Sequence, residues 1–221
     1  KIVLDADAGD LGVASALAGS CQGPCFDAIG FQFYDNENAS QNRYAGLRNA
    51  TDGIRAMLAD KKLKTPIWLT GTAAYGGRFG NAPFRREPQQ ANALYKTLAY
   101  AVVNGIGKVF VANAAGCYEG EDAYFCSAGV TDLLSPKPAL TTFRIAVENL
   151  DYAVLDAELP SPRPATKGYA FSTPEGKVYT VWSDEFQELF RSLGVKVGST
   201  KIRVTDVVTG ETADRNVTTC L

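Results

Sequence analysis

Histidine is missing from all 221 residues. That absence excludes Ser-His-Asp and Cys-His nucleophile systems and every histidine-containing zinc site. Any chemistry would fall to carboxylates. An excess of one charge is missing too: 22 Lys and Arg against 24 Asp and Glu leave a formal net charge of −2. Such a balance gives no electrostatic reason to expect nucleic acid or an anionic membrane surface as partner. No apolar run approaches the ~20 residues of a transmembrane helix, so membrane insertion is not expected. There is no recognisable signal peptide, and the chain opens without Met inside an apparent strand, Lys1-Ile2-Val3-Leu4. That opening is expected of a processed or cut chain.

What is present begins with five cysteines. Cys21 with Cys25 and Cys117 with Cys126 suggest two local staples, and Cys220 is left over, free or bonded outside this chain. On the chain-entropy account each short loop would contribute roughly 2–3 kcal/mol at most. The alternative is five reduced cysteines in a cytosolic protein. Three N-glycosylation sequons, Asn38-Ala39-Ser40, Asn49-Ala50-Thr51 and Asn216-Val217-Thr218, carry no blocking proline. Paired cysteines and three sequons together favour a secreted, extracellular glycoprotein.

Hydrophobic residues make up 46% of the chain, enough for a sizeable core. Four strand-helix units follow one another. Strand Lys1–Ala6 leads to helix Leu11–Ala18, and strand Ala28–Tyr34 leads to helix Arg43–Asp60. Strand Ile67–Leu69 leads to helix Gln89–Asn104, stopped by Gly105, and strand Lys108–Ala112 leads to helix Pro138–Tyr152. This alternation predicts parallel strands joined by right-handed crossovers. Beyond Pro160, Pro162 and Pro164 come short alternating runs at Gly168–Ser172, Val178–Trp182, Lys201–Val208 and Val217–Cys220. The expected division is an α/β portion over 1–158 and a small β domain over 159–221.

Four stretches, FDAIGFQFY, TPIWLTGTA, EPQQANALYKTLAYAVVNGIGKVFVANAAG and AGVTDLLSPKPALTTFRIAVENL, together resemble the second half of a (β/α)8 retaining glycoside hydrolase. The tail KGYAFSTPEGKVYTVWSDE is similar to the β-sandwich that follows such barrels. The resemblance implies half of a TIM-type (β/α)8 barrel, about four βα units, followed by a small antiparallel β-sandwich-like domain. It also implies positions for a site. The nucleophile Glu of that clan falls on Gly71, its sixth-strand His on Gln32, and its eighth-strand Trp near Val111 or Ala112. The Tyr beside the nucleophile is kept as Tyr34, and the acid/base Glu would lie upstream of Lys1. Retaining hydrolysis needs two carboxylates about 5–5.5 Å apart, and glycine supplies none.

Other residues invite roles of their own. Tyr75, Arg78, Phe79 and Phe84 share a Gly-rich loop with Arg85 and Arg86, a mixture suited to carbohydrate or partner contact. Phe31, Phe33 and Trp68 read more readily as core. Glu37, Glu119, Glu121 and Asp122 read as solvated loop charges. Asp5, Asp7 and Asp10 alternate as calcium ligands can, against a plainer reading as capping aspartates; no other cofactor is expected. Four parallel strands leave two open edges that need partners, either a second copy or an N-terminal half. The expected protein is a catalytically degenerate, secreted, glycoside-hydrolase-like structural or self-assembling subunit. A carbohydrate-binding pseudoenzyme and a fragment of an active glycosidase are the alternatives.

Overall fold

The computed structural model describes residues 1–7, 9–20, 25–34, 43–75, 87–112, 129–132, 135–161, 166–183 and 201–217. Its first four strands, β1 (Val3–Ala6), β2 (Ala28–Gln32), β3 (Ile67–Thr72) and β4 (Lys108–Val111), form one parallel sheet in sequence order. Helices α1 (Gly12–Ser20), α2 (Arg43–Asp60) and α3 (Glu87–Val103) lie along the chain between them, and α4 (Pro138–Leu150) follows. The expected strand-helix order is therefore present, with boundaries moved by a few residues.

Successive side chains of a strand point to opposite faces, and the two faces of this sheet differ sharply. Ile29, Phe31 and Leu69 are fully buried with Ile67 against Leu47, Ile54 and Leu58 of α2. Burying side chains of this size stabilises the fold by about 1.5–3 kcal/mol each. The other face carries Val3, Asp5, Gly30, Gln32, Trp68, Thr70, Lys108 and Phe110. There Trp68 and Phe110 meet at 6.1 Å between centroids, Lys108 Nζ lies 4.9 Å over the Trp68 ring, and Phe110 stays 47% exposed. Gly30 is required on this face, because a Cβ there would meet Thr70 Cγ2 at 2.4 Å and Val3 Cγ1 at 3.0 Å.

The expected stop of α3 is made by backbone geometry. Gly105 adopts φ +60, and the N–H groups of Gly105 and Ile106 donate to the carbonyls of Val102 and Ala101. Left-handed φ at this position favours glycine. The Arg55 guanidinium, reaching across from α2, donates to the Asn104 carbonyl.

A second core forms where α3 and α4 meet the remaining strands. Leu94, Leu98, Ile145 and Leu150 pack with Tyr169 and Phe171. Those two aromatics belong to β8 (Thr166–Thr173), the middle of an antiparallel sheet with β7 (Val154–Glu158) and β9 (Gly176–Ser183). β7 precedes the 158/159 division yet hydrogen bonds to β8 beyond it. Two further short strands, β5 (Thr131–Asp132) and β6 (Ser135–Pro136), pair with each other.

The last hairpin differs from expectation. It comprises β10 (Lys201–Thr205) and β11 (Thr212–Asn216), a strand the sequence pattern did not mark; of the expected strand Val217–Cys220 only Val217 lies among the described residues. The cause is the turn. Asp206 Oδ1 accepts the N–H groups of Val208 and Thr209, and Gly210 takes φ +78, so Thr205 faces Thr212. Thr142 Oγ1 on α4 donates to the Val207 carbonyl at 2.5 Å and ties this turn to the second core. Among the described residues, no helix is long and apolar enough to cross a membrane.

Candidate functional site

The C-terminal ends of β1 to β4 form one rim. β2 reaches it through a register shift between Phe31 and Gln32, which sets Gln32 opposite Gly71 of β3. The Phe33 N–H donates to the Gly71 carbonyl at 2.9 Å and holds the two strand ends together. Tyr34 then turns back over β3. Its hydroxyl lies 2.7 Å from the place a Cβ on Gly71 would take, with Gln32 Cγ at 3.2 Å. The structure thus brings together Gly71, Gln32 and Tyr34, three residues to which the sequence resemblance assigned site positions. Ala112, just past β4, donates its N–H to the Thr72 carbonyl at 2.8 Å and packs with Ala73, Tyr75 and Tyr34. Val111 and Ala112, near which the resemblance implies a tryptophan, thus lie at the C-terminal end of β4.

β1 contributes the carboxylates. Asp5 and Asp7, with Ala6 and Gln32, line a cavity of about 320 Å³ that opens to solvent. Thr70 Oγ1 lies 3.1 Å from Asp5 Oδ1 and 3.0 Å from the Phe31 carbonyl, which links the middle of β3 to β1 and β2. Asp7 accepts from the Gly9 N–H and Asp10 from the Gly12 N–H, each at 2.8 Å. Their alternation serves a local turn and the entry to α1, and among the described residues no group of three or more Asp, Glu, Cys or His stands close enough to hold a metal ion.

Tyr75 is placed differently from expectation. Expected at an exposed contact loop, it is 1% exposed and packs with Ala73. Its position directly after β3 draws it into the rim instead of out to solvent. Arg78, Phe79 and Phe84 lie outside the described residues, as do Glu37, Asn38, Glu119, Glu121 and Asp122. So do Cys21, Cys117, Cys126 and Cys220, whereas Cys25 is described and disulfide-bonded. Asn49 is exposed on α2, and Asn216 is exposed at the end of β11.

One residue organises the rim without having been singled out. Gln90, 1% exposed near the start of α3, donates through Nε2 to the carbonyls of Ala74 at 3.0 Å and Gly129 at 3.1 Å. It clamps the segment after β3 to the segment before β5. A polar residue on the apolar stripe of an amphipathic helix was the available signal. Among the described residues the Thr72 hydroxyl is buried without a hydrogen-bond partner. Away from the rim, burial pushes the Tyr95 phenol far above its usual range. Hydrogen bonds from Lys177 and Ser172 hold the Asp156 carboxyl below its usual value.

The rim offers hydrogen-bonding groups on β1 and β2, and a glycine on β3 whose side-chain volume is taken by Tyr34. No family model matches the sequence, and no curated protein matches it. Solved structures do. A family 39 glycoside hydrolase from the gut symbiont Bacteroides cellulosilyticus WH2 superposes with a TM-score of 0.57 at 16% identity, over 90% of this chain and 40% of that one. Faecalibacterium prausnitzii beta-glucuronidase matches 56% of this chain and 22% of its own, with a TM-score of 0.40 and 16% identity. A calcium binding mutant of Bacteroides uniformis beta-glucuronidase 2 matches 97% and 27%, with a TM-score of 0.41 and 11% identity. The likeness to the family 39 enzyme shows a glycoside-hydrolase-like α/β fold, and this chain spans about 40% of that enzyme's length.

Proposed function

We propose that the chain is a catalytically degenerate glycoside-hydrolase-like subunit whose role is structural: half of a (β/α)8 barrel over 1–158, with a small β domain over 159–221, that completes itself with a partner. The observation that carries the reading is the Tyr34 hydroxyl, 2.7 Å from the Cβ position of Gly71. In this reading Gly71 stands where a retaining hydrolase holds its nucleophile, and the tyrosine has closed over the gap. Gln32 in place of a histidine and Val111 or Ala112 in place of a tryptophan support the same reading. The exposed Asn49 and Asn216 are available for the glycans of an extracellular protein. Incubation with aryl glycosides tests the reading, with no turnover expected. Turnover that disappears in Asp5→Asn would overturn it.

A second reading, a carbohydrate-binding pseudoenzyme, is favoured by the cavity lined by Asp5, Asp7 and Gln32, whose polar groups suit sugar hydroxyls. Glycan-array binding that is lost in Gln32→Ala would promote it over the first.

A further inference from the structure

An asparagine is glycosylated only when the transferase also reaches the hydroxyl two residues on. Asn49-Ala50-Thr51 lies wholly among the described residues, within α2 and more than a turn from either end of that helix. Successive helical residues are turned by about 100°, so positions i and i+2 stand on opposite faces. Asn49 is exposed. Thr51 is fully buried on the face it shares with Leu47 and Ile54, and its hydroxyl donates to the Leu47 carbonyl at 2.7 Å. While α2 is formed, one enzyme site cannot hold both groups of this sequon.

The core that keeps Thr51 inside is completed late in synthesis. Leu47 and Ile54 share a cluster with Ile67 and Leu69 of β3, Ala101 of α3 and Ile106. Ile106 follows Thr51 by about 55 residues, a delay of roughly 3–11 s at ~5–20 residues per second. An isolated helix of the length of α2 is marginal in water. Until those partners arrive the sequon is open chain, and once they have packed it is not.

We infer that Asn49 accepts a glycan only before α2 packs, so that folding and glycosylation compete for this segment and occupancy at Asn49 records which came first. The inference rests on the extracellular reading above. In the transfer, Asn49 Nδ2 bonds to the anomeric carbon of an oligosaccharide carried on a polyprenyl diphosphate. The bond from that carbon to the diphosphate oxygen breaks, the lipid diphosphate leaves with its electron pair, and one amide proton passes to the transferase. The product suits the finished fold because Asn49 is exposed on α2.

The test presents the full unglycosylated chain to purified oligosaccharyltransferase with that lipid donor and follows Asn49 by mass spectrometry. The comparison chains are Ile54→Asp and Leu47→Asp, each of which sets a charge in the core and opens α2, as circular dichroism checks. Asn49 should be modified at least about 100-fold more slowly in the native chain than in the opened ones, because a packed helix opens only rarely. Equal rates in native and opened chains, or no transfer to Asn49 in the opened chains, would overturn the inference. The extracellular reading fails separately, if the chain isolated from its source cell carries no glycan at Asn49 or Asn216; the ratio of transfer rates does not depend on it.

Discussion

The Tyr34 hydroxyl occupies the space beside Gly71 that a side chain on β3 would need, 2.7 Å from the Cβ position, with Gln32 Cγ only 3.2 Å away. Real Cβ atoms do not tolerate the first of these distances, so any substitution at Gly71 must move the tyrosine ring. Gly71→Ala is expected to cost about 1–3 kcal/mol, the range for overpacking a fitted site. In a Tyr34→Ala background the same change should cost markedly less, and a double-mutant cycle in urea measures the difference. Gly71→Glu should yield no turnover of aryl glycosides, because the carboxylate enters an occupied space.

Gly30 makes a parallel case one strand away, on the uncovered face. A Cβ there would sit 2.4 Å from Thr70 Cγ2, far inside contact distance. Gly30→Ala should destabilise by about 1–3 kcal/mol even after the smaller unfolded-state entropy of alanine is counted. Thr70→Ser removes that methyl while keeping the hydroxyl shared with Asp5 and the Phe31 carbonyl. The serine variant is therefore expected to recover much of the loss, read as denaturation midpoints of the four proteins.

How much of this was legible in the sequence depends on whether the deciding contact is local. The helix Arg43–Asp60 is marked by the three- and four-residue spacing of Leu47, Ile54, Met57 and Leu58, and it stands at those bounds. Gly105 marks the end of α3 through its own φ. The strand Thr212–Asn216 went unmarked because TADRN carries a single apolar residue, Ala213, and the Asp206–Gly210 turn sets its register. Tyr75 was misplaced and Gln90 passed over for the opposite reason. An aromatic after a glycine-rich strand end reads as a surface loop, and a lone glutamine on a helix draws no notice. The packing that buries each comes from residues far away in sequence.

The antiparallel sheet carries a pH-sensitive contact. Asp156 on β7 accepts from Ser172 on β8 at 2.8 Å and from Lys177 on β9 at 2.6 Å, and the Lys177 bond is the larger cause of its lowered pKa. A carboxylate whose folded pKa lies below its ordinary 3.8 adds stability that is fully present above that ordinary value. That stability fades as pH falls through the depressed folded value. The midpoint difference between the unaltered chain and Asp156→Asn should hold steady from neutral pH to about pH 5 and close below about pH 4. A difference that persists at the acid end would assign the contribution to packing and not to charge.

The clamp at Gln90 offers the sharpest test of what shapes the rim. Its amide donates to the carbonyls of both Ala74 and Gly129 from a buried position. Removing a donor from a buried acceptor costs about 1–3 kcal/mol for each group left unsatisfied. Gln90→Met keeps the volume and loses both bonds, so a loss of roughly 2–5 kcal/mol is expected in urea denaturation. Gln90→Glu should be worse at neutral pH, since it places a carboxylate against two carbonyl oxygens, and it should improve on acidification as the acid regains a single donor. Amide exchange at Tyr75 and Val130 should quicken in both variants while β2 stays protected. An equal loss in Gln90→Met and Gln90→Glu at every pH would show that only the volume of the side chain matters, and the clamp would then have no part in setting the rim.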